Sequence, residues 1–338
     1  MVLSKKHAYV MVIWGGDRYL AGVLAVAYSL IRLKTKKDIV CLVTNDVPNS
    51  ARNTMKKLNI IVKEIPYLCY NTYPLKTKKQ RQKYPTIQSF YTKYNILNLI
   101  EYDKVIYLDS DLIVVNSLDH LFRCKPPLAL FENQYDSNYT NNNRGIKNYY
   151  TKTKLKYLEK IKNSNIKTAL YNSGFVANGT ILLIKPDKTQ YINYKKMMNK
   201  LSINKGFGSS FNTYSGPDEI SIIYFMTLYS NGPKLQFRNL PIKYSYLAWK
   251  YTSTNQNRDS SDIKILDFFG TDKTWEVKRD EYEDVEIFYG LIRELLNKDY
   301  GININELNMK YKEDILKNND YNNKYYKYFK KKIEDYDI

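Results

Sequence analysis

Histidine is nearly absent from this chain: among 338 residues there are two, His7 and His120. Histidine-based triads and zinc sites built on imidazole are therefore poorly served. Cysteine is scarce as well. The three present, Cys41, Cys69 and Cys124, form no CxxC pair and imply no disulfide framework, which fits a reducing compartment. Acidic side chains number 34 against 53 lysines and arginines, a formal net charge of +19. No apolar run is long enough to span a bilayer. Lys5 and Lys6 precede an apolar stretch, but Gly15, Gly16, Asp17 and Arg18 break it. That stretch reads as a first core strand and not a signal peptide, so a cytoplasmic protein is expected.

Hydrophobic residues make up 43% of the chain and aromatics 14%, enough for a sizeable core and too much for wholesale disorder. The positive charge raises the alternative of a basic nucleic-acid-binding protein. Yet the lysines are spread among Asn, Tyr and Ile with no compact basic block in the body, a pattern that biased genome composition also produces. A nucleoside diphosphate would use the same sign of charge at a single site.

The most informative stretch runs from Lys104 to Val114, KVIYLDSDLIV. A short apolar, β-branched run ends in Asp109 and Asp111, one residue apart, and then turns apolar again. This reads as a buried strand that delivers two carboxylates to its C-terminal edge, where open α/β sheets bind ligands. Two hard oxygen donors without Cys or His beside them suit Mg²⁺ or Mn²⁺ better than Zn²⁺. A strand ending in an ordinary Asp/Ser turn is the other reading of the same residues.

The N-terminal half alternates strand and helix signals: strands at Ala8–Trp14, Asp38–Thr44 and Asn59–Ile65, helices at Leu20–Leu33 and Asn49–Leu58. Thr86 or Ser89 is placed to cap a helix with an apolar face of Phe90, Tyr94, Leu97 and Ile100. The alternation predicts an α/β fold with a mostly parallel, doubly wound sheet. Residues 133–165 are dense in Asn, Tyr and Lys and read as an insertion, a cap over one face of the sheet, with a short helix at Leu155–Ile161. Apolar structure resumes at Tyr171–Val176 and Thr180–Ile184. Lys185-Pro186-Asp187 then opens a helix to about Leu201, and Gly216-Pro217-Asp218-Glu219 opens another, Ile220–Leu228. A last strand, Ile263–Leu266, ends at Asp267. Residues 1–283 form one domain on this reading, and 284–338 a charged helical extension.

Five polar clusters follow apolar runs directly: Gly15-Gly16-Asp17, Asp109-Ser110-Asp111, Asn172-Ser173-Gly174, Gly216-Pro217-Asp218-Glu219 and Asp267-Phe268-Phe269-Gly270. Their order and neighbours resemble glycosyltransferase family 8, which includes glycogenin and galactinol synthase. The resemblance runs from about Tyr9 to Trp275 and is most specific from Thr92-Lys93 to Leu118-Asp119-His120-Leu121-Phe122. It implies a single GT-A domain, a Rossmann-like nucleotide-binding sheet fused to an acceptor-binding part. The implied activity is retaining, metal-dependent transfer of a hexose from a UDP-sugar. Glucose is the first expectation and galactose the second.

The resemblance also implies residue roles. Asp109 and Asp111 match the metal-binding DxD that holds Mn²⁺, or Mg²⁺, against the diphosphate. Trp14, Gly15 and Tyr19 fall on the nucleotide loop, with the Tyr19 ring where the family stacks uracil, a contact worth ~1–3 kcal/mol. Lys93, Asn172, Ser173 and Asp218 match residues that face the donor sugar, and Glu219 lies beneath the anomeric carbon. Gly270 and Lys273 match the phosphate-binding end of a His-Phe-x-Gly-x-x-Lys-Pro-Trp motif.

Two positions depart from the family. Asp267 stands where the family has its third metal ligand, a histidine, which gives an expected shell of three carboxylates. Glu219 stands for a glutamine, and a carboxylate there could serve as nucleophile or stabilise an oxocarbenium ion. These departures keep open the alternative of a catalytically weak UDP-sugar-binding protein. The acceptor is open: a glycan, a protein, or the chain itself, since it carries 34 tyrosines, Tyr325, Tyr326 and Tyr328 among them. A homodimer is compatible with the sequence.

Overall fold

The computed structural model describes residues 6–73, 87–132, 147–148, 155–203, 205–213, 215–253, 262–268, 270, 272–278 and 282–316. Residues 6–65 fold much as their hydrophobic pattern dictates: strand His7–Ile13 (β1), helix Leu20–Arg32 (α1), strand Asp38–Val43 (β2), helix Asn49–Lys57 (α2) and strand Ile61–Glu64 (β3). Lys104–Leu108 (β4) leads directly into Asp109, and Leu112–Val114 (β5) follows Asp111. Next come strands Leu128–Leu130 (β6) and Lys147–Asn148 (β7), helix Asn163–Tyr171 (α3), and strands Gly174–Phe175 (β8) and Asn178–Ile184 (β9). Helices Lys188–Leu201 (α4) and Pro217–Thr227 (α5) precede strands Arg238–Leu240 (β10) and Tyr246–Leu247 (β11). The chain continues through helix Ala248–Ser253 (α6), strand Ile265–Asp267 (β12), helix Glu283–Leu296 (α7) and the short helix Glu313–Leu316 (α8).

Two expectations from periodicity are corrected. Ile87–Asn98 is a 3-10 helix rather than an α-helix capped by Ser89, and Thr86 lies outside the described residues. With three residues per turn the buried row becomes Tyr91, Tyr94 and Leu97, while Ile100 stands 58% exposed. Leu155–Ile161 forms no helix: Leu158 is left-handed, and Lys160 bridges to Arg238 instead. The helix of this region is α3, which starts where the expected insertion ends. The remainder of 133–165, including most of the expected cap, lies outside the described residues, as do Tyr325, Tyr326 and Tyr328.

The chain divides into two compact units. One comprises Met1–Ala8, Pro66–Tyr107 and Leu121–Ile242. Its strands run in the order β10-β6-β9-β4, with β10 parallel to β6 and β6 antiparallel to β9. Aromatic rings meeting edge to face fill its core, among them Tyr91 on Phe207 and Tyr194 on both Tyr94 and Phe225. Such pairs add about 0.5–1.5 kcal/mol beyond the area they bury. Asp187 begins α4 by accepting the Gln190 amide at 2.8 Å, as a side-chain cap should.

The other unit comprises Tyr9–Ile65, Leu108–His120 and Lys243–Ile338. Here the order β1-β2-β3 is joined by a second sheet, β11-β12-β5, in which β12 is parallel to β11 and antiparallel to β5. Helix α1 is apolar on every side and is buried from Leu20 to Leu30. Each fully buried Val or Leu contributes about 1.5–3 kcal/mol. Its buried Ser29 hydroxyl accepts the Val114 amide of β5 at 3.1 Å. Asp119 receives Tyr9 Oη at 2.6 Å and Thr35 Oγ1 at 2.9 Å, fastening the turn after β5 to β1 and to the end of α1. Helix α7 packs on α1 and α6. The pairing that predominates is parallel, so the mixed α/β class read from the sequence is the class observed. Among the described residues no helix is long and apolar enough to cross a membrane.

One close approach sets the position of the aspartate turn. A Cβ on Gly22 of α1 would overlap the Ser110 carbonyl oxygen and stand 2.7 Å from the Trp275 indole. Both neighbours are held, one by backbone and one by burial, so neither can yield cheaply. Gly22→Ala is expected to destabilise the protein by about 2–3 kcal/mol or more, read as a lowered midpoint of thermal or urea unfolding; an unchanged midpoint would refute this close packing.

Candidate active site

In the unit that contains α1, chain connectivity and strand pairing bring the acidic positions together. Asp109 and Asp111 flank Ser110 at the end of β4. Asp267 is the last residue of β12 and pairs with Leu112 in the antiparallel register. The ladder continues one step further, where the Phe268 amide donates to the Asp111 carbonyl at 3.0 Å. Asp267 is therefore one register step from Asp111, although 156 residues separate them in sequence (267 − 111).

A lysine sits on this acidic corner. Lys273 Nζ lies 2.5 Å from Asp111 Oδ2 and 2.9 Å from the Gly270 carbonyl, with only 11% of its side chain and 16% of that of Asp111 exposed. Burial opposes the charge on Lys273. The attraction of Asp111, Tyr19 and Asp267, with the hydrogen bond to Asp111, outweighs it and holds the ammonium above its ordinary pKa. The Tyr19 ring centroid is 5.8 Å from the same nitrogen. Burial raises the phenol pKa of Tyr19, Lys273 works against that rise, and Asp111 and Asp109 reinforce it. Asp109, Asp111, Lys273 and Tyr19 thus share one electrostatic neighbourhood. Trp14 and Gly15 lie at the end of β1, where Gly15 and Gly16 turn the chain through left-handed conformations toward α1.

Asp109, Asp111 and Asp267 offer only oxygen donors, the type that Mn²⁺ and Mg²⁺ take, and an ammonium already serves as cation partner to Asp111. In chemistry the residues fit a divalent ion. In geometry the expected three-carboxylate shell is not assembled: among the described residues no three His, Cys, Asp or Glu side chains converge closely enough to hold one. Lys273 occupies Asp111, and the fully buried Asp267 accepts Ser245 Oγ at 2.7 Å through Oδ2.

Several neighbours escaped the sequence reading. Ser245 carries no motif and meets Asp267 only through the parallel pairing of β11 with β12. Arg18 grips Glu276 through Nε and Nη2, at 2.5 and 2.7 Å, and so ties the loop before α1 to the segment after Lys273. Trp275, in contrast, belongs to the motif read in the sequence with Gly270 and Lys273, and its indole lies edge-on to Tyr19, with ring centroids 5.5 Å apart.

The second cluster belongs to the other unit. Lys93, on the 3-10 helix, forms a 2.7 Å ion pair with Asp218, in the first turn of α5, with side chains 8% and 7% exposed. Pro217 in that turn leaves no amide to satisfy, and Tyr94 Oη donates to the Asp218 carbonyl at 2.9 Å. Lys93 Nζ also stands 5.3 Å from the Tyr107 ring centroid. Glu219 lines a narrow pocket with Lys93, Tyr94, Tyr107, Asn178 and Gly179. Two glycines make room for it: a Cβ on Gly216 would overlap Oε2, and one on Gly179 would stand 2.8 Å from Cγ. The Gly179 amide donates to Glu219 Oε1 at 3.4 Å. Asn172 and Ser173 do not line that pocket. They form the turn after α3, where the Ser173 amide bonds the Asn212 carbonyl and Thr213 Oγ1 donates to Gly174 O at 2.7 Å. Ser173 is left-handed, with φ of 58°.

With this geometry in place, comparison with known proteins gives the class and then the family. The solved apo-form glycosyltransferase GlyE of Streptococcus pneumoniae superposes with a TM-score of 0.50 at 18% identity, over 88% of this chain and 61% of that one. That likeness concerns the fold, which is of the GT-A glycosyltransferase type. The description "Glycosyl transferase family 8" matches residues 11–278, and the chain belongs to that family. Galactinol synthase 1 of Ajuga reptans is 25% identical over 298 residues, covering 83% of this chain and 84% of the relative. An uncharacterized protein of Acanthamoeba polyphaga mimivirus is 31% identical over 190 residues, 56% of this chain. The matched region spans 59% of that viral relative's length.

The buried Lys93–Asp218 pair should be sensitive to losing one partner. Asp218→Ala leaves an uncompensated ammonium and is expected to cost about 3–5 kcal/mol, whereas Lys93→Met with Asp218→Leu costs less; unfolding midpoints of the two variants in the reverse order would contradict the pairing. The Arg18–Glu276 contact predicts a pH effect. The hydrogen bond to Arg18 lowers the Glu276 pKa. Its stabilisation is then complete above the ordinary glutamate value of about 4.3 and is lost as pH falls through the lowered one. Glu276→Gln should flatten the acid side of the stability–pH curve below pH ~4.3, and a curve unchanged by the substitution would contradict this.

Proposed function

We propose that this protein is a retaining, divalent-metal-dependent glycosyltransferase that moves a hexose from a UDP-sugar to an acceptor. The observation that carries the reading is the corner where Lys273, Asp111 and Tyr19 meet, with Asp267 one register step away. A departing diphosphate needs carboxylates for a cation, a fixed ammonium for its own charge, and an aromatic face for its base. All of these side chains come from one compact unit. The match to galactinol synthase 1 over most of both chains supports a glycosyltransferase, and the acceptor in this reading is a glycan, a protein or the chain itself.

In this reading Asp109, Asp111 and Asp267 would hold Mn²⁺ or Mg²⁺. When bound, such an ion supplies a Lewis acid for the leaving diphosphate. Lys273 donates to a phosphate oxygen, a charge-assisted hydrogen bond stronger than a neutral one. The Gly270 carbonyl, 2.9 Å from Lys273 Nζ, anchors that ammonium in place. Tyr19 stacks the uracil, and Trp14 and Gly15 shape the loop that admits it. Asp218 accepts from a sugar hydroxyl while Lys93 fixes its carboxylate, and Asn172 and Ser173 add further hydroxyl contacts. Restricting the sugar in this way makes attack effectively intramolecular. Glu219 presents its carboxylate to the developing oxocarbenium ion, as nucleophile or as stabiliser.

Hydrolysis of UDP-glucose and UDP-galactose with Mn²⁺ is the direct test. Wild-type protein should release UDP from one of them. Asp109→Asn should lower that rate by more than the roughly 10–100-fold typical of residues that only support a metal ligand. Equal turnover by the variant would overturn the metal assignment.

A further inference from the structure

We infer that Lys273 is a resident counter-ion that keeps Asp111 from holding a divalent cation until a diphosphate draws its ammonium away, so that metal and nucleotide bind as a coupled pair. This rests on the reading of Asp109, Asp111 and Asp267 as the metal-holding residues and goes beyond it by assigning Lys273 a role before the donor arrives.

Space at Asp111 is the first constraint. Lys273 Nζ lies 2.5 Å from Asp111 Oδ2, close to where a divalent ion would have to sit to use that oxygen. Mn²⁺ or Mg²⁺ and an ammonium cannot share that position. In a site this buried their repulsion is only weakly screened. The contact is also well anchored, with a second hydrogen bond to the Gly270 carbonyl and the attraction of Asp267 and Tyr19. Metal alone must therefore displace a satisfied, desolvated ammonium from its contact with Asp111.

A diphosphate changes the balance. It offers Lys273 several anionic oxygens in place of one carboxylate oxygen, and the four-carbon lysine stem can swing to them without backbone movement. Asp111 is then released to the cation. The same exchange explains why the three-carboxylate shell is unassembled among the described residues: its middle member is engaged. Coupling of this kind is reciprocal, so metal must tighten nucleotide binding by the factor by which nucleotide tightens metal binding.

The test uses full-length protein and reads binding rather than turnover. Mn²⁺ affinity is measured by electron paramagnetic resonance of the free ion, with and without UDP, and UDP affinity by calorimetry. Wild type should bind Mn²⁺ at least tenfold more tightly when UDP is present, within the range usual for coupled sites. Lys273→Met should bind Mn²⁺ alone about tenfold more tightly than wild type, should bind UDP more weakly, and should lose most of the coupling. Lys273→Arg keeps the cation and should keep wild-type behaviour toward Mn²⁺ alone; it shows that the Met variant acts through charge rather than loosened packing. If Lys273→Met gains no affinity for Mn²⁺ alone while wild type binds Mn²⁺ with UDP, the counter-ion role is wrong and the metal site stands. If wild type binds no Mn²⁺ even with UDP, the metal site itself is wrong. Should Lys273→Met not fold, Lys273→Gln provides the same neutral comparison, and Mn²⁺ affinity equal to wild type in that variant overturns the proposal.

Discussion

The arrangement of the acidic corner depends on one backbone contact, the approach of the Ser110 carbonyl and the Trp275 indole to Gly22. Helix α1 is held by burial on every side, so whatever rests against its glycine is fixed relative to the core. The turn bearing Asp109 and Asp111 rests there through Ser110. The segment bearing Lys273 rests there through Trp275. Two loops far apart in sequence acquire a common reference, and the 2.5 Å ion pair between Lys273 and Asp111 follows. The Ser29–Val114 and Asp119–Tyr9 hydrogen bonds add smaller constraints that hold β5 in register beside the helix.

A second principle recurs within each unit: charged groups are placed where burial raises the cost of leaving them alone, and each is met by a specific partner. Lys93 and Asp218 neutralise each other at the start of α5. Lys273 and Asp111 do so at the end of β4. Asp267, also buried, accepts the Ser245 hydroxyl and adds to the attraction on Lys273. A buried pair contributes little net stability but makes the loss of either partner costly. Such pairs therefore specify geometry more than they stabilise the fold, and geometry is what a transfer site requires.

Much of this was legible in the sequence, and the limits were physical. The alternation of β1, α1, β2, α2 and β3 is written in local periodicity, as is the Asp187 cap of α4. The DxD turn and the Asp267 strand end were identifiable because apolar runs with abrupt polar ends carry their own signal. The partner of each acidic residue was not. Ser245 reaches Asp267 through strand pairing, and Lys273 reaches Asp111 across 162 residues; neither contact leaves a local trace. The 3-10 helix at Ile87–Asn98 was misjudged as α because a four-residue spacing, Phe90 to Tyr94, competes there with a three-residue one, Tyr91 to Tyr94 to Leu97. At Leu155–Ile161 propensity favoured a helix, but the bridge from Lys160 to Arg238 gives those backbone groups a partner elsewhere.

The unit that carries the acidic corner is drawn from opposite ends of the sequence, Tyr9–Ile65 and Lys243–Ile338, with a short piece between. Its C-terminal part is stitched to the N-terminal part at several points: Lys57 to Glu306 at 2.7 Å, Thr54 to Glu306 at 2.8 Å, and Asn308 to Asp17 at 2.8 Å. On the ribosome, α1 therefore emerges long before the Trp275 indole and α7 that cover it. Until they arrive its apolar surface is open, the condition under which nascent domains aggregate or recruit chaperones. The ion pair between Asp111 and Lys273 consequently cannot form until the 162 residues that separate them have been synthesised.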